Sequence, residues 1–218
     1  LIEIKKLAFA DRDRWLADPA FAPAPLDRLL DREYLQRRAT LVGSRAAERV
    51  PAGVGSQMQA TPQSGDGDTV YLMAVDTNGN AVSWIQSLFA TFGSGIVEPQ
   101  TGVVLQNRGA GFTLDAEHPN AIAPGKRPFH TLTPLLVTDG NNQLRLTIGT
   151  PGGHGQSQFL TQVYHNIFTF GMSPQQAVEA PRYIHNSGLR VQLEDGVRNE
   201  VVDALGAMGH DITRRAGW

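Results

Sequence analysis

The sequence changes character abruptly where a polar segment gives way to an apolar one. Between Pro51 and Asp68 it is rich in Gly, Ser, Gln, Pro and Asp without periodicity, which is typical of an exposed, flexible linker. Directly afterwards, Val70–Val75 and Ala81–Leu88 are apolar-rich and flank Asn78-Gly79, a strong hairpin signal. Such near-continuous apolar strands predict a sheet that is covered on both faces. We therefore expect a flexible segment immediately before a sheet.

Other elements are predicted from periodicity and turn residues. The N-terminal region is expected to be helical and charged, with a short second helix from Ser44 to Arg49. Gly102–Gln106 is a strand candidate in a glycine-punctuated stretch. A second hairpin is predicted from Leu132–Val137 and Gln143–Ile148, with its turn at Asp139-Gly140.

The C-terminal part is predicted to alternate helices and strands. An amphipathic helix follows the glycine-rich run Gly149–Gly155 and ends at Gly171. Ser173 begins the next helix as an N-cap, with a proline at the first helical position and a capping-box glutamine. A strand around Leu189–Leu193 and a helix over residues 201–208 follow. Strands succeeded by helices that cover a sheet indicate a layered α+β or α/β architecture.

Composition excludes several classes of function. The 218 residues include 19 basic and 21 acidic ones, so a formal net charge of −2 gives no basic surface for nucleic acid or an anionic membrane. No apolar run approaches the roughly 18 residues of a membrane span. Without Cys, a nucleophile would have to be a hydroxyl or a carboxylate. The six histidines lack the spacing of metal ligands, so we expect no metal site. We also expect no cofactor. The nearly neutral net charge fits small molecules as substrates.

Thr69 stands where the linker meets the first strand. A threonine there is usually structural, because threonine is common at strand starts. Its hydroxyl becomes a useful nucleophile only beside a base, and the threonine's own α-amine is such a base once the chain is cut before it. The reference pKa of an α-amine, about 7.7–8.0, suits this task. The junction therefore favours a nucleophile that a flexible linker exposes to cleavage.

Gly152-Gly153 has two interpretations. Glycines at the start of a helix let backbone N–H groups approach a substrate, and the helix dipole there favours negative charge, as an oxyanion hole requires. A plain strand-to-helix turn would have the same sequence. The run lacks the lysine of a phosphate-binding loop and the spacing of a dinucleotide fingerprint, so phosphate binding is the weaker alternative.

Several motifs, taken in order, carry a resemblance to a known family. They are Thr69-Val70-Tyr71, Ala74-Val75-Asp76, Asn78-Gly79-Asn80-Ala81-Val82-Ser83, Phe92-Gly93-Ser94-Gly95-Ile96, Pro124-Gly125-Lys126-Arg127-Pro128 and Pro151-Gly152-Gly153. From about Asp68 to Gly209 the chain resembles the small, catalytic subunit of the γ-glutamyltranspeptidase (glutathione hydrolase) family. The resemblance implies an α+β fold, the four-layer α-β-β-α sandwich of N-terminal-nucleophile hydrolases, present here in part.

The resemblance also implies roles for individual residues. Thr69 would be the nucleophile, freed when the Asp68–Thr69 bond cleaves itself. Ser87 matches a hydroxyl residue that hydrogen-bonds the nucleophile, and Gly152 and Gly153 match the oxyanion-hole pair. A symmetric two-residue turn places Ser87 on the strand face opposite Thr69, so this role would require a bulge or a bent strand.

The positions that resemble a substrate pocket depart from the family pattern. His130 and Thr131 occupy two serine positions that hold the substrate carboxylate. Arg108 and Gly111 replace a Gln and an Asp that hold the α-amino group of the glutamyl donor, and Phe89 replaces a nearby Asn. A guanidinium in place of an acid should weaken recognition of an amino acid and favour a carboxylate or another acyl group.

The resemblance implies three alternatives for function. The first is a threonine-dependent hydrolase or acyltransferase acting on γ-glutamyl amides such as glutathione, and the second is a glutaryl- or cephalosporin-type acylase. The third is an uncleaved, catalytically silent relative that serves as a binding module.

The resemblance also divides the chain into regions. Residues 1–50 would be a helical tail of the large subunit, 51–68 the processing linker and 69–218 the catalytic region. The large-subunit body would lie before Leu1 and further strands after Trp218, and the sequence predicts no compartment.

Overall fold

The structure is a computed structural model that describes residues 1–55 and 69–216. These residues divide into two compact units. The first unit gathers residues 1–55, 111–129 and 181–216, and the second gathers residues 69–110 and 130–180. Most of the predicted linker therefore lies outside the described residues.

The described residues form short helices and strands whose order fits a mixed α+β chain. In chain order they are α1 (Ile2–Trp15), α2 (Leu26–Leu29), α3 (Arg32–Ala39), β1 (Thr69–Val75), β2 (Ala81–Ser87), β3 (Leu135–Thr138), β4 (Leu144–Ile148), α4 (Gln156–Phe168), α5 (Pro174–Glu179), β5 (Tyr183–His185), β6 (Arg190–Glu194), α6 (Asn199–Ala207) and β7 (Asp211–Arg215). Two short 3₁₀ turns, Arg108–Gly111 and Gly153–Gly155, complete the set.

The first unit is built on a three-stranded sheet. β5 pairs antiparallel with β6, and β6 pairs parallel with β7. Ile2 of α1 packs with Val191 and Leu193 of β6 in a buried apolar cluster. Because neither Val191 nor Leu193 exposes more than 2% of its surface, this cluster is the core of the unit.

The segment 111–129 is attached to the N-terminal part of the first unit by polar contacts. The Arg127 guanidinium donates to both carboxylate oxygens of Asp18, at 2.8 and 3.2 Å, and the Arg127 N–H donates to the same carboxylate at 2.9 Å. Lys126 Nζ donates to the carbonyls of Pro119 and Ala121 at 2.6 and 2.8 Å. The Pro-Gly-Lys-Arg-Pro motif of the sequence thus fixes the path of this segment.

The second unit contains two antiparallel hairpins, β1-β2 and β3-β4, followed by α4 and α5. Phe159, Leu160 and Val163 are buried on one face of α4, as the predicted amphipathic pattern requires. Ser173 caps α5 in a complete capping box, which confirms that prediction. The predicted covering of both sheet faces is not seen in the described structure, where one face of β1-β2 exposes large apolar side chains: Val70, Leu72, Val82 and Trp84.

Two expectations about secondary structure are corrected, and two strands were not predicted. Ser44–Arg49 forms bends and extended chain instead of a helix, and the Ala47 N–H is bound by the Glu3 carboxylate at 3.1 Å. Gly102–Gln106 is not a strand, because only an isolated bridge joins Val97 to Val104. β5 and β7 were missed because strands of three and five residues are too short to show a clear alternation of polar and apolar side chains.

Candidate active site

The first hairpin brings Thr69 and Ser87 to the same face of the sheet. The two residues pair directly across β1 and β2. The strands are joined by a three-residue loop, because the Asp76 N–H donates to the Asn80 carbonyl at 3.0 Å. The expected two-residue turn, which placed Ser87 on the opposite face, is therefore wrong by one residue, and no bulge is needed.

The cause of this register is the aspartate that begins the loop. Asp76 Oδ1 accepts from the N–H groups of Asn78 and Asn80 at 2.9 and 2.8 Å, and Gly79 adopts a left-handed φ of 83°. This combination is typical of a three-residue loop that ends in a left-handed residue. Asp139 repeats the arrangement in the second hairpin, accepting from residues 141 and 143, with its left-handed residue at 142.

Thr69 and Ser87 are joined by a hydrogen bond. Thr69 Oγ1 donates to Ser87 Oγ at 3.1 Å, and the same Oγ accepts from the Phe89 N–H at 3.0 Å. Both hydroxyl residues are partly exposed. The hydroxyl that the sequence predicts to be a nucleophile thus lies at the start of its strand, with an oriented hydrogen and a partner.

The chain beyond Ser87 turns sharply towards Arg108. Phe89 has a φ of 80°, a left-handed conformation that costs a bulky residue of order 1–3 kcal/mol. Asn107 holds this turn, since its N–H donates to the Leu88 carbonyl at 3.1 Å and its Oδ1 accepts from the Ala90 N–H at 3.0 Å. The Arg108 guanidinium then lies 5.1 Å from the centroid of the Phe89 ring.

Arg108 and His130 are two ionisable side chains that lie near this turn. Arg108 is buried, with 7% of its surface exposed, and desolvation lowers its pKa from the usual value for arginine. Partial burial of the imidazole and then the positive charge of Arg108 lower the pKa of His130. His130 Nδ1 accepts from the Leu132 N–H at 3.2 Å, so the neutral ring carries its proton on Nε2.

Tyr71 connects the strand that begins at Thr69 to the glycine-rich loop after β4. Its hydroxyl lies 3.0 Å from Ser83 Oγ and 2.8 Å from Thr147 Oγ1. Its ring lies against Gly149, where an added Cβ would come within 2.2 Å of it. Only glycine allows so close an approach, and the two hairpins are therefore held side by side next to this loop.

Gly152 and Gly153 lie where the loop becomes a helix, as predicted. Their φ angles are 121° and 52°, and a 3₁₀ turn over Gly153–Gly155 leads into α4. A Cβ on Gly152 would meet the buried Phe159 ring at 3.0 Å, whereas one on Gly153 would face open space. The first N–H groups of a helix have no partner within it, so this turn can receive an anion.

The remaining predicted residues lie on two connections. Thr131 is buried, and two residues later the Thr133 N–H donates to Gln156 Oε1 at 3.0 Å, which ties this segment to the start of α4. Gly111 ends the 3₁₀ turn that Arg108 begins; its carbonyl accepts from Asn120 Nδ2 at 2.7 Å, and a Cβ there would meet the Phe129 carbonyl at 3.4 Å.

Sequence reasoning missed the residues that position this region. Asn107, Tyr71 and Gln156 act through hydrogen bonds to other side chains and to loop backbone. No local pattern distinguishes such residues from ordinary strand and helix residues. Within residues 1–55 and 69–216 no group of His, Asp or Glu is arranged to hold a metal ion, and none of the helices there has the length and apolarity to cross a membrane.

The fold is that of the N-terminal-nucleophile hydrolases. A cephalosporin acylase from Bacillus halodurans has a solved structure that superimposes with a TM-score of 0.86 at 38% sequence identity. The superposition covers 99% of this chain and 38% of that chain. The predicted α+β class is therefore confirmed.

The chain belongs to the γ-glutamyltranspeptidase family, whose profile, described as Gamma-glutamyltranspeptidase, matches residues 1–217. It is 41% identical over 217 residues to the glutathione hydrolase-like YwrD proenzyme of Bacillus subtilis (strain 168), covering 96% of this chain and 39% of that protein. It is 36% identical to the oxamate amidohydrolase proenzyme of Klebsiella pneumoniae, covering 97% and 39% respectively. The chain thus spans about two-fifths of the length of these relatives.

Proposed function

We propose that this chain carries the catalytic part of an amide hydrolase whose nucleophile is Thr69. The observation that supports this most directly is the hydrogen bond from Thr69 Oγ1 to Ser87 Oγ, 3.1 Å long, at the first residue of β1. A chain that begins at Thr69 would place its α-amine beside the hydroxyl that it must deprotonate. The names of the relatives, all hydrolases or acylases, agree with such chemistry.

The first step is cleavage of the precursor. Thr69 Oγ attacks the carbonyl carbon of Asp68, a residue outside the described range, and the acyl group moves from nitrogen to oxygen. Water then hydrolyses the ester, which leaves a carboxylate on Asp68 and a free α-amine on Thr69. Residues 1–68 would thereby belong to the tail of a large subunit, and residues 69–218 to the catalytic subunit that associates with it.

The second step is amide hydrolysis. Thr69 Oγ attacks the substrate carbonyl while the α-amine accepts the hydroxyl proton, and the N–H groups of Gly152 and Gly153 stabilise the tetrahedral oxyanion. The amine returns the proton to the leaving nitrogen, and an acyl ester remains on Thr69. Water then attacks the ester and releases the acid; an amine in place of water would give transfer of the acyl group.

The substrate has two candidates. γ-Glutamyl amides such as glutathione are favoured by the family and by the glutathione hydrolase-like relative. Glutaryl- or cephalosporin-type amides are favoured by Arg108 and by the similarity to a cephalosporin acylase. In both cases Phe89, Arg108, His130 and Thr131 would contribute to binding of the acyl group, and Gly111 is proposed as a further substrate-binding residue from the family resemblance.

The test is intact-mass analysis of the full-length protein together with turnover of p-nitroanilide substrates. We expect two fragments that meet between Asp68 and Thr69, and we expect Thr69→Ala to abolish both the split and the turnover. Thr69→Ser, which keeps a hydroxyl, should retain both in part. A protein that stays whole and hydrolyses normally would refute the mechanism, and one that stays whole and inactive would support the silent binding module.

A further inference from the structure

We propose that Arg108 binds a carboxylate on the acyl group of the substrate, and that this acyl group carries no ammonium. The preferred substrates would then be monoamides of short dicarboxylic acids. This inference names the substrate class of the proposed Thr69 hydrolase and therefore rests on that proposal.

The first observation is an unpartnered cationic side chain. Arg108 exposes only 7% of its surface, yet its buried Nη1 finds no hydrogen-bond acceptor within the described residues. A buried charged donor without a partner costs well over the roughly 1–3 kcal/mol of a neutral one. A bound anion would supply the missing acceptor, and a carboxylate matches the planar guanidinium with two parallel hydrogen bonds.

The second observation is that nearby protein carboxylates are engaged elsewhere. Within residues 69–110 and 130–180 the acids are four in number, and each is bound to its own turn or helix: Asp76 to Asn78 and Asn80, Glu98 to Gln100 and Thr101, Asp139 to Gln143 and Arg145, and Glu179 to Gln175. In this part of the chain none of them neutralises Arg108. The counter-charge is therefore expected from the ligand.

The lack of a free carboxylate near Arg108 in this unit also disfavours binding of an ammonium group. Binding an ammonium in a buried site requires a carboxylate beside it. The neighbours of Arg108 in this unit are instead the Phe89 ring, 5.1 Å away, and His130, whose pKa is lowered partly by the arginine's charge. An α-ammonium next to the Arg108 guanidinium would be repelled, so a γ-glutamyl group should bind less well than a glutaryl group.

The position of Arg108 links this charge to the reaction centre. Phe89 connects Arg108 to Ser87, because its N–H donates to Ser87 Oγ at 3.0 Å and its ring lies 5.1 Å from the Arg108 guanidinium. Ser87 in turn accepts from Thr69. A short methylene chain can lie along the Phe89 ring, with its amide carbonyl at Thr69 and its carboxylate at Arg108.

The experiment compares three p-nitroanilides on the processed full-length protein: glutaryl, L-γ-glutamyl and pentanoyl. They have the same five-carbon backbone and differ in the carboxylate and the ammonium. We expect the order glutaryl, then γ-glutamyl or pentanoyl, in kcat/KM. In Arg108→Gln the glutaryl value should fall about 10–100-fold, as loss of a charged hydrogen-bonded pair predicts, with little change for pentanoyl.

Arg145→Gln is the matched control. Arg145 and Arg108 are the two arginines of residues 69–110 and 130–180, but Arg145 is exposed and paired with Asp139 at 2.6 Å. Its loss should leave all three rates within about twofold. Because a buried arginine can also stabilise the fold, melting curves are measured together with the kinetics. The order of kcat/KM among the three anilides in the unmodified protein tests the inference without any variant.

Two results would overturn the inference without touching the proposed hydrolase. One is a preference of the unmodified protein for γ-glutamyl or pentanoyl anilide; the other is an equal loss of all three activities in a folded Arg108→Gln. If no anilide is hydrolysed, the kinetic comparison is replaced by direct binding of glutarate, measured calorimetrically. Binding that disappears in Arg108→Gln supports the inference, and absence of binding to the unmodified protein refutes it, whereas an unsplit chain refutes the hydrolase itself.

Discussion

At the scale of single residues, the hydroxyl of Ser87 determines how Thr69 is presented. It accepts one hydrogen bond from the Thr69 hydroxyl and another from the Phe89 N–H. The first bond fixes the direction of the Thr69 hydrogen and leaves the oxygen lone pairs directed elsewhere. The second holds Ser87 in place through the backbone of a residue that is itself in a left-handed conformation. The orientation of the proposed nucleophile therefore depends on a strained backbone conformation at Phe89.

Removal of the Ser87 hydroxyl should slow both reactions that Thr69 is proposed to perform. We expect Ser87→Ala to lower kcat and the rate of self-cleavage by about 10–100-fold, because one oriented hydrogen bond to the reacting group is lost. Ser87→Thr, which restores a hydroxyl, should recover most of the rate. Time-resolved gel analysis and single-turnover kinetics provide the measurements; unchanged rates in a folded Ser87→Ala would contradict this role.

At the scale of elements, the turn into α4 is the most constrained connection of the second unit. Gly152 combines a φ of 121° with a position where a Cβ would press on the Phe159 ring at 3.0 Å. Phe159 is one of the buried residues on the apolar face of α4, so it cannot move away freely. The conformation of the proposed oxyanion turn and the packing of the helix are therefore coupled.

Gly152→Ala should accordingly lower activity strongly, although the substitution adds only one methyl group. Strain in φ and contact with Phe159 together are expected to cost about 1–3 kcal/mol and to displace the Gly153 N–H from the oxyanion. The matched control is Gly140→Ala in the β3-β4 loop, where φ is ordinary and the added Cβ meets nothing within 4 Å. Melting temperature and kcat are measured for both variants; equal behaviour of the two would contradict the coupling.

Elements with strong local signals were predictable from the sequence. The α4 face, the Ser173 capping box and the strand positions of both hairpins follow from periodicity and cap chemistry. The register of β1-β2 was missed because Asn78-Gly79 suggests a two-residue turn, whereas the preceding aspartate selects a three-residue loop. Contacts such as Tyr71 on Gly149 depend on residues far apart in sequence, and local patterns carry no information about them.

At the scale of the whole molecule, the predicted site residues fall almost entirely within one of the two units. Only Gly111 belongs to the first unit. That unit carries its own buried ionisable cluster, in which Lys5 Nζ lies 2.9 Å from His185 Nδ1 and also donates to the His185 carbonyl at 3.2 Å. His185 Nε2 lies 2.9 Å from the Gly188 carbonyl and donates to it, so Nδ1 is the acceptor for Lys5.

This arrangement predicts loss of stability in acid. Burial, followed by the charge of Lys5, lowers the pKa of His185 to about 4. The unfolded chain, with a histidine pKa near 6.5, takes up the proton first, so the contribution of neutral His185 to stability is complete above about pH 6.5 and is lost as the pH falls towards 4. From 6.5 to about 4 the difference corresponds to about 3 kcal/mol for a buried group.

The measurement is the melting temperature of the full-length protein between pH 4.5 and 8. We expect His185→Gln to flatten the acid side of the curve, because the amide can bind both neighbours without titrating. His165→Gln, in α4 of the other unit, serves as the control and should leave the shape of the curve unchanged. Parallel curves for His185→Gln and the unmodified protein would contradict the assignment.

The loop between β1 and β2 also determines which changes of length the hairpin can tolerate. Side chains alternate between the two faces of a strand. Whether the loop contains an odd or an even number of residues therefore decides whether Ser87 lies on the same face as Thr69 or on the opposite face. With the three-residue loop retained, one residue more or less between Thr69 and Ser87 would shift the pairing of β2 against β1 by one position and place Ser87 on the face opposite Thr69. Two residues more would keep the partnership intact. The length of this short loop thus determines whether the two hydroxyl groups of the proposed reaction centre, at the other end of the strands, lie on the same face.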